Sequence, residues 1–166
     1  MASEQPAARE PDDALDDFVT AVLTASRVLV GVSAQSLMQV EDQVTPTQFR
    51  TLVVLASHGQ TRLNKLAERL GVNPSTAQRS VDRLIAAGFV ARRENDHDRR
   101  EVVIELTGSG RDVVDQVTRL RRQAITGIVS AIPAGRRRDL VDALVEFAAA
   151  ADEPLAASDH ALSLGW

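Results

Sequence analysis

The sequence predicts a mainly α-helical chain interrupted once by a β-hairpin. Three observations carry that expectation. Two helix starts are written out, Thr45-Pro46 with Gln48 three residues past the cap, and Asn73-Pro74. Glycines stand where helices would stop, at Gly59, Gly71 and Gly88. Two short runs, "FVARR" and "EVVIEL", read as strands joined by a charged turn.

The elements follow in order. Residues 1–11 read as a disordered tail. Asp12 and Asp13 suit the cap of a long helix, with Leu15, Phe18, Val19, Val22 and Leu29 on one face and an end near Val40. "TPTQFRTLVVLASHG" is the second helix; Phe49, Leu52, Val53 and Ala56 form its inner face. "TRLNKLAERLG" is a short third helix that buries Leu63, Leu66, Ala67 and Leu70. A few residues later "VNPSTAQRSVDRLIAAG" forms a fourth. So short a turn suits a helix-turn-helix. The hairpin follows, with Val102, Ile104 and Leu106 on one strand face and Glu94 to Arg100 as a projecting charged tip. Thr107 or Ser109 then caps a long helix carrying Val113, Val114, Val117, Leu120, Ile125, Ile128 and Val129. "IPAG" breaks it near Pro133. A last helix carries Leu140, Val141, Leu144, Val145 and Phe147, and residues 152–166 read as a tail.

The fold class is therefore mainly α: a winged helix-turn-helix with a two-stranded β wing, flanked by long N- and C-terminal helices. The expected division is an N-terminal helix at 12–44, a winged helix-turn-helix at 45–106 and C-terminal helices at 107–151. The outer helices carry more apolar surface than a small winged helix can cover, which is why dimerisation is assigned to them.

Bulk properties narrow the function. The 166 residues suffice for one domain with extensions, and 44% hydrophobic with 25% charged residues is ordinary for a globular protein. The absence of cysteine removes disulfides, thiol switches and cysteine-ligated zinc. The acidic, polar N-terminus lacks the apolar core of a signal peptide, and no apolar run approaches the length of a membrane span. The expectation is a cytoplasmic protein with no membrane partner. Net charge is −4, but it is unevenly spread: residues 1–60 sum to −5, residues 61–111 to +3 and residues 112–166 to −2. A basic island can attract a polyanion despite acidic flanks, because screening confines each field to about 10 Å.

The fourth helix turns Ala77, Val81, Leu84 and Ile85 one way. Ser75, Arg79, Asp82, Arg83 and Ala86 turn the other way, with Thr76 and Gln78 at the flanks. Gln78 is suited to adenine and Arg79 to guanine. Ser75 and Thr76 sit near the helix start, where free N–H groups favour phosphate. A solvated surface helix is the competing reading of this face. At the hairpin tip, Arg99 and Arg100 suit a minor groove and an adjacent phosphate, with Asp96 and Asp98 as wing support that aims them. A solvated charged turn is the plainer alternative.

Taken together, "LAERLGV", "STAQRSVDRLIAAGFV", "DHDRR" and the following "LT..G", across residues 45–111, resemble the multiple-antibiotic-resistance regulator (MarR) family. The resemblance implies a homodimer built on interleaved terminal helices and a palindromic operator. It also implies repression that is commonly relieved by a small-molecule effector. By motif position it puts Ser75, Thr76, Gln78 and Arg79 at the major groove and Arg99 or Arg100 at the minor groove. "TGSG" departs from the family's usual charged residue after the threonine, and its two glycines predict a looser wing–helix junction. An effector pocket is expected between dimer helices and winged helix, with Leu23, Leu52 and Val117 as lining.

The expected function is a sequence-specific DNA-binding transcriptional regulator, a repressor, that binds double-stranded DNA. The alternative is a winged-helix protein-interaction module without DNA binding. Arg79, Arg83, Arg99 and Arg100 favour DNA, since a protein-binding surface is more often apolar and aromatic. An enzyme finds no site: His58, His97 and His160 are scattered, and neither a phosphate-cradling glycine loop nor a nucleophile with its base is present. No catalytic residue, cofactor or metal is assigned. Asp96-His97-Asp98 is the nearest approach to metal ligands and lacks a full set.

Overall fold

The computed structural model describes residues 11–95 and 98–151. Residues 1–10 and 152–166 of the assigned tails, and Asp96 and His97, lie outside them, while Pro11, assigned to the tail, is part of α1. In chain order the elements are α1 (Pro11–Met38), α2 (Pro46–His58), α3 (Leu63–Leu70), α4 (Pro74–Ala86), β1 (Val90–Asn95), β2 (Asp98–Leu106), α5 (Gly108–Ser130) and α6 (Ala134–Ala150). This is the predicted order.

Local chemistry explains the central helices. At α2, the Gln48 N–H donates to Thr45 Oγ1 (3.3 Å) and the Thr45 N–H donates back to Gln48 Oε1 (2.8 Å), closing a capping box. Between α3 and α4, Gly71 takes the left-handed conformation (φ 68°, ψ 32°), which costs a residue without a β-carbon little. The Val72 N–H then reaches back to the Ala67 carbonyl (3.1 Å), and Asn73 caps α4. α1 is already helical at Pro11, so Asp12 and Asp13 lie within the helix and do not cap it.

The core gathers Phe49, Leu52, Val53 and Leu55 of α2, Leu66 and Leu70 of α3, Val81 and Leu84 of α4, Val90 and Ile104 of the hairpin, and Val113, Val114 and Val117 of α5. Val40 and Val44, after α1, close it. Thr51 and Leu55 belong to this interior although the predicted inner face of α2 omitted both. The Thr51 hydroxyl bonds the Thr47 carbonyl and the Ser80 hydroxyl, each at 3.1 Å, and so ties α2 to α4.

β1 and β2 pair antiparallel from Val90↔Leu106 to Glu94↔Val102, with an irregularity before Asn95↔Asp98. The register puts Val102, Ile104 and Leu106 on one face, as their alternation predicts. Burial follows it only near the body: Ile104 is 3% exposed and Val102, farther out, is 55% exposed. Val103, on the opposite face, is also buried. The hairpin is longer than expected. Its ladder continues to Asn95 and Asp98, so Arg99 and Arg100 belong to β2 and not to a loop.

Two contacts seat the wing. Thr61, before α3, donates its N–H to the Ile104 carbonyl (3.0 Å) and accepts the Ile104 N–H (2.8 Å), forming a one-residue third strand. Thr107 caps α5, accepting the Gly110 N–H (3.1 Å), while its hydroxyl donates to the Gly88 carbonyl (2.8 Å). The expected looseness of "TGSG" is corrected here. A β-carbon at Gly110 would strike the Phe89 carbonyl oxygen and come within 2.6 Å of the Leu106 side chain. Gly110 is the small residue that a tight junction requires.

The outer helices differ. Only the C-terminal third of α1 is anchored, through Val32 and Ser36, and α6 buries no residue. Arg137 holds the α5–α6 turn, donating from Nε to the Ile132 carbonyl (3.0 Å) and from Nη2 to the Ser130 carbonyl (3.1 Å). Across Asp13–Met38, α1 is long and apolar enough to cross a membrane by length and composition alone. It has no unbroken apolar run, but Arg27 is the sole charged residue between Phe18 and Gln35, and Ala, Thr, Ser and Gly fill the gaps between Val and Leu.

Candidate nucleic-acid interface

α4 presents the face that its periodicity predicts. Ala77, Val81 and Leu84 are buried, Ile85 is half-buried, and Ser75, Arg79, Asp82, Arg83 and Ala86 are exposed. Thr76 and Gln78 are half-buried at the flanks. The buried edge packs on α2, α3 and β1, so the outer edge is held at a fixed attitude beside the wing.

The helix start is less open to phosphate than expected. The Thr76 N–H already donates to Asn73 Oδ1 (2.8 Å), and the Ser75 hydroxyl donates to the same oxygen (2.8 Å). An asparagine cap thus occupies one of the N–H donors that a phosphate would otherwise meet. Arg79 donates weakly to the Thr76 hydroxyl (3.4 Å), one turn back. Arg83 lies one turn beyond Arg79 on the exposed surface. The side chains of Asp98, Arg99 and Arg100 lie outside the described residues, so their expected pairing, like that of Asp96, stays an expectation.

Sequence reasoning missed the link between α4 and the wing. Arg92 Nη2 donates to Asp82 Oδ1 (2.7 Å), and Gln78 Nε2 donates to the same oxygen (2.8 Å). The Gln78 hydrogen bond, opposed by desolvation and aided by Arg92, holds the Asp82 carboxyl below the usual carboxylate range. Arg92 stands opposite Ile104 in the ladder, hence on the face turned toward the body. The signal available was "FVARR" read with the strand period of two: it puts Val90 and Arg92 on one face. Across the ribbon, Arg93 and Glu105 form a second ion pair (3.4 Å).

The expected effector lining does not assemble. Leu52 and Val117 are fully buried in the core, and Leu23 is exposed on α1. Aliphatic side chains of core and pocket look alike in a sequence. A cavity of about 580 Å³ lies instead among Leu37, Phe49, Val53 and Val54, with Arg50, His58 and Arg69 supplying cationic or titratable edges. A smaller one, about 370 Å³, lies between α1 and Arg121 of α5, whose guanidinium is shifted below its ordinary value by burial. Among the described residues no three metal-type side chains cluster.

Known proteins share this arrangement. Residues 44–102 match the family model of the MarR family. The crystal structure of RV1404 from Mycobacterium tuberculosis is 47% identical, with a TM-score of 0.72, covering 90% of this chain and 99% of that one. The transcriptional repressor MdtR of Bacillus subtilis is 36% identical over 80 residues, covering 48% of this chain and 52% of MdtR. The repressor NicR of Pseudomonas putida is 33% identical over 97 residues, covering 58% and 61%. The chain thus spans about half the length of the curated relatives it matches. These curated relatives are regulators, not enzymes. With its winged helix, capped recognition-type helix and flanking helices, the chain belongs to the MarR family.

Proposed function

We propose that this protein is a sequence-specific DNA-binding repressor that acts as a cytoplasmic homodimer on a pseudo-palindromic operator. One observation carries the reading. α4 is anchored on three sides and leaves Ser75, Thr76, Gln78, Arg79 and Arg83 along its outer and flanking surface, beside an arginine-bearing wing. A helix in the major groove reads base edges with such side chains, and Arg99 or Arg100 would enter the flanking minor groove. The names of MdtR and NicR support repression.

The homodimer is supported by apolar surface that one chain leaves uncovered. Leu15, Phe18, Leu23 and Val30 of α1 and Val141, Leu144 and Phe147 of α6 are all exposed. A two-fold pair would present two α4 helices to half-sites about one helical turn apart, roughly 34–36 Å. A small-molecule effector belongs to the same proposal, and the cavity bounded by Arg50, His58 and Arg69 is its place.

The test is a gel shift with DNA from upstream of the protein's own gene, at two salt concentrations. A discrete, salt-sensitive complex that an unrelated duplex does not compete away is the expected result. Equal competition by any duplex would refute sequence-specific binding.

A further inference from the structure

The Asp82 carboxylate sits where two elements meet. Gln78 lies one helical turn before it on α4, and Arg92 lies ten residues after it on β1. Both donate to the same Oδ1, at 2.8 and 2.7 Å. Asp82 and Arg92 are about half exposed, so the linkage lies on the surface proposed to meet DNA.

The chemistry of the amide gives this linkage a meaning. A glutamine side chain offers two N–H donors and one carbonyl acceptor, whereas an ionised carboxylate only accepts. Asp82 therefore fixes which end of the Gln78 amide faces it, and it occupies one of the two N–H groups. One donor and one acceptor remain. Adenine offers the complement in the major groove, an N6–H donor beside the N7 acceptor, while guanine offers two acceptors, O6 and N7. An unrestrained glutamine can turn its whole amino group toward guanine; a glutamine held by Asp82 cannot do so without breaking a hydrogen bond. Arg92 keeps the carboxylate itself from turning away.

We propose that Asp82 is a specificity-determining positioning residue: anchored by Arg92, it restricts Gln78 to adenine. The inference rests on the reading of α4 as the base-reading helix.

The experiment begins with wild-type protein and a randomised duplex pool, which yields a preferred sequence. Anisotropy titrations then compare that duplex with one carrying G·C for A·T at each position in turn. Gln78→Ala should erase the preference for adenine at one position. Asp82→Asn, which keeps size and shape, should reduce the adenine-over-guanine ratio at that same position by about three- to tenfold, the range of one modest hydrogen bond. In the Gln78→Ala background, Asp82→Asn should leave that ratio where Gln78→Ala alone puts it. Loss of a negative charge should strengthen binding to both duplexes together, so the ratio separates positioning from charge. An unchanged ratio in Asp82→Asn overturns the proposal. So does a change at a different base pair, which would make Asp82 a direct base contact. If Gln78→Ala alters no position, the proposal fails while DNA binding stands. If wild-type protein enriches nothing from the pool, base reading by α4 fails and the proposal with it.

Discussion

α2 buries Phe49, Thr51, Leu52, Val53 and Leu55 within one chain, whereas the longer α6 buries nothing. Both are helices with abundant apolar residues, so hydrophobicity alone does not separate them. What differs is the number of neighbours the chain supplies. α2 is wrapped by α3, α4, α5 and β2, while α6 touches the rest through the turn held by Arg137. The middle of the chain completes itself. The ends present apolar faces of a kind that soluble monomers seldom leave open over large areas, and a second copy would close them.

The largest expected effect breaks the ends and spares the middle. Leu140→Asp with Leu144→Asp puts two charges on the open face of α6. Light scattering should fall from twice the 17.9 kDa chain mass to the single-chain value, and operator binding should be lost. A double variant that stays dimeric would remove α6 from the interface. Leu52→Ala attacks the middle. Leu52 is fully buried, and truncating such a residue destabilises by about 2–5 kcal/mol, readable in urea unfolding.

Between these regions lies the wing–α5 junction, where two glycines two residues apart give opposite expectations. Gly110→Ala must displace the Phe89 carbonyl and should destabilise by about 1–3 kcal/mol. Gly108 has no atom within 4 Å of a built β-carbon, so Gly108→Ala should be neutral or stabilise by up to about 1 kcal/mol. Thermal melts of the two variants decide this, and equal losses would mean that the junction is not the constraint.

On the proposed DNA face the contrast is between reading and holding. Arg79→Ala should cost about 1–3 kcal/mol at particular operator positions. Arg99→Ala with Arg100→Ala should weaken binding more uniformly and lower the slope of log affinity against log salt by about one unit per lost phosphate contact. Identical slopes would mean that the wing stays off the DNA.

The smallest effect concerns pH. The folded Asp82 carboxyl titrates below its ordinary 3.8, so its contribution is complete above that value and is lost as pH falls through the lower, folded one. The link to Gln78 and Arg92 should therefore not change between about pH 8 and 5. An NMR titration of the Asp82 carboxyl carbon should give a midpoint below 3.8; a midpoint at or above it would mean that these partners do not hold the carboxylate.

What was legible in the sequence was local. Thr45 with Gln48, Gly71 and Asn73 each act within a few residues, so spacing alone located α2, α3 and α4. The same held for the outer face of α4, where Ala77, Val81 and Leu84 mark the hidden side. Features that depend on distant neighbours were not legible. Thr61 pairs with Ile104 across the whole of α3 and α4, and Asp82 finds Arg92 only once the strand folds back. Thr51 was absent from the predicted inner face of α2 because its partner, Ser80, lies on another helix. Gly110 was read as slack because its crowding comes from Phe89, outside its own helix. The wing arginines were placed at a tip because charge suggested a loop, whereas ladder pairing carries β2 out to Asp98.

The tight corner at Gly110 also has a mechanical side. With Thr107 bonded to both Gly88 and Gly110, and no room for even a methyl group against Phe89, the foot of α5 and the wing form a welded elbow and not a hinge. α5 is 23 residues long, a lever of about 34 Å. A swing of about 5° about one end of such a lever carries the other end by roughly 3 Å, close to the rise of one base-pair step. With a stiff elbow that displacement reaches the wing undiminished. In the proposed dimer, a small change of angle where the two chains meet would then be enough to move each α4 out of step with its groove.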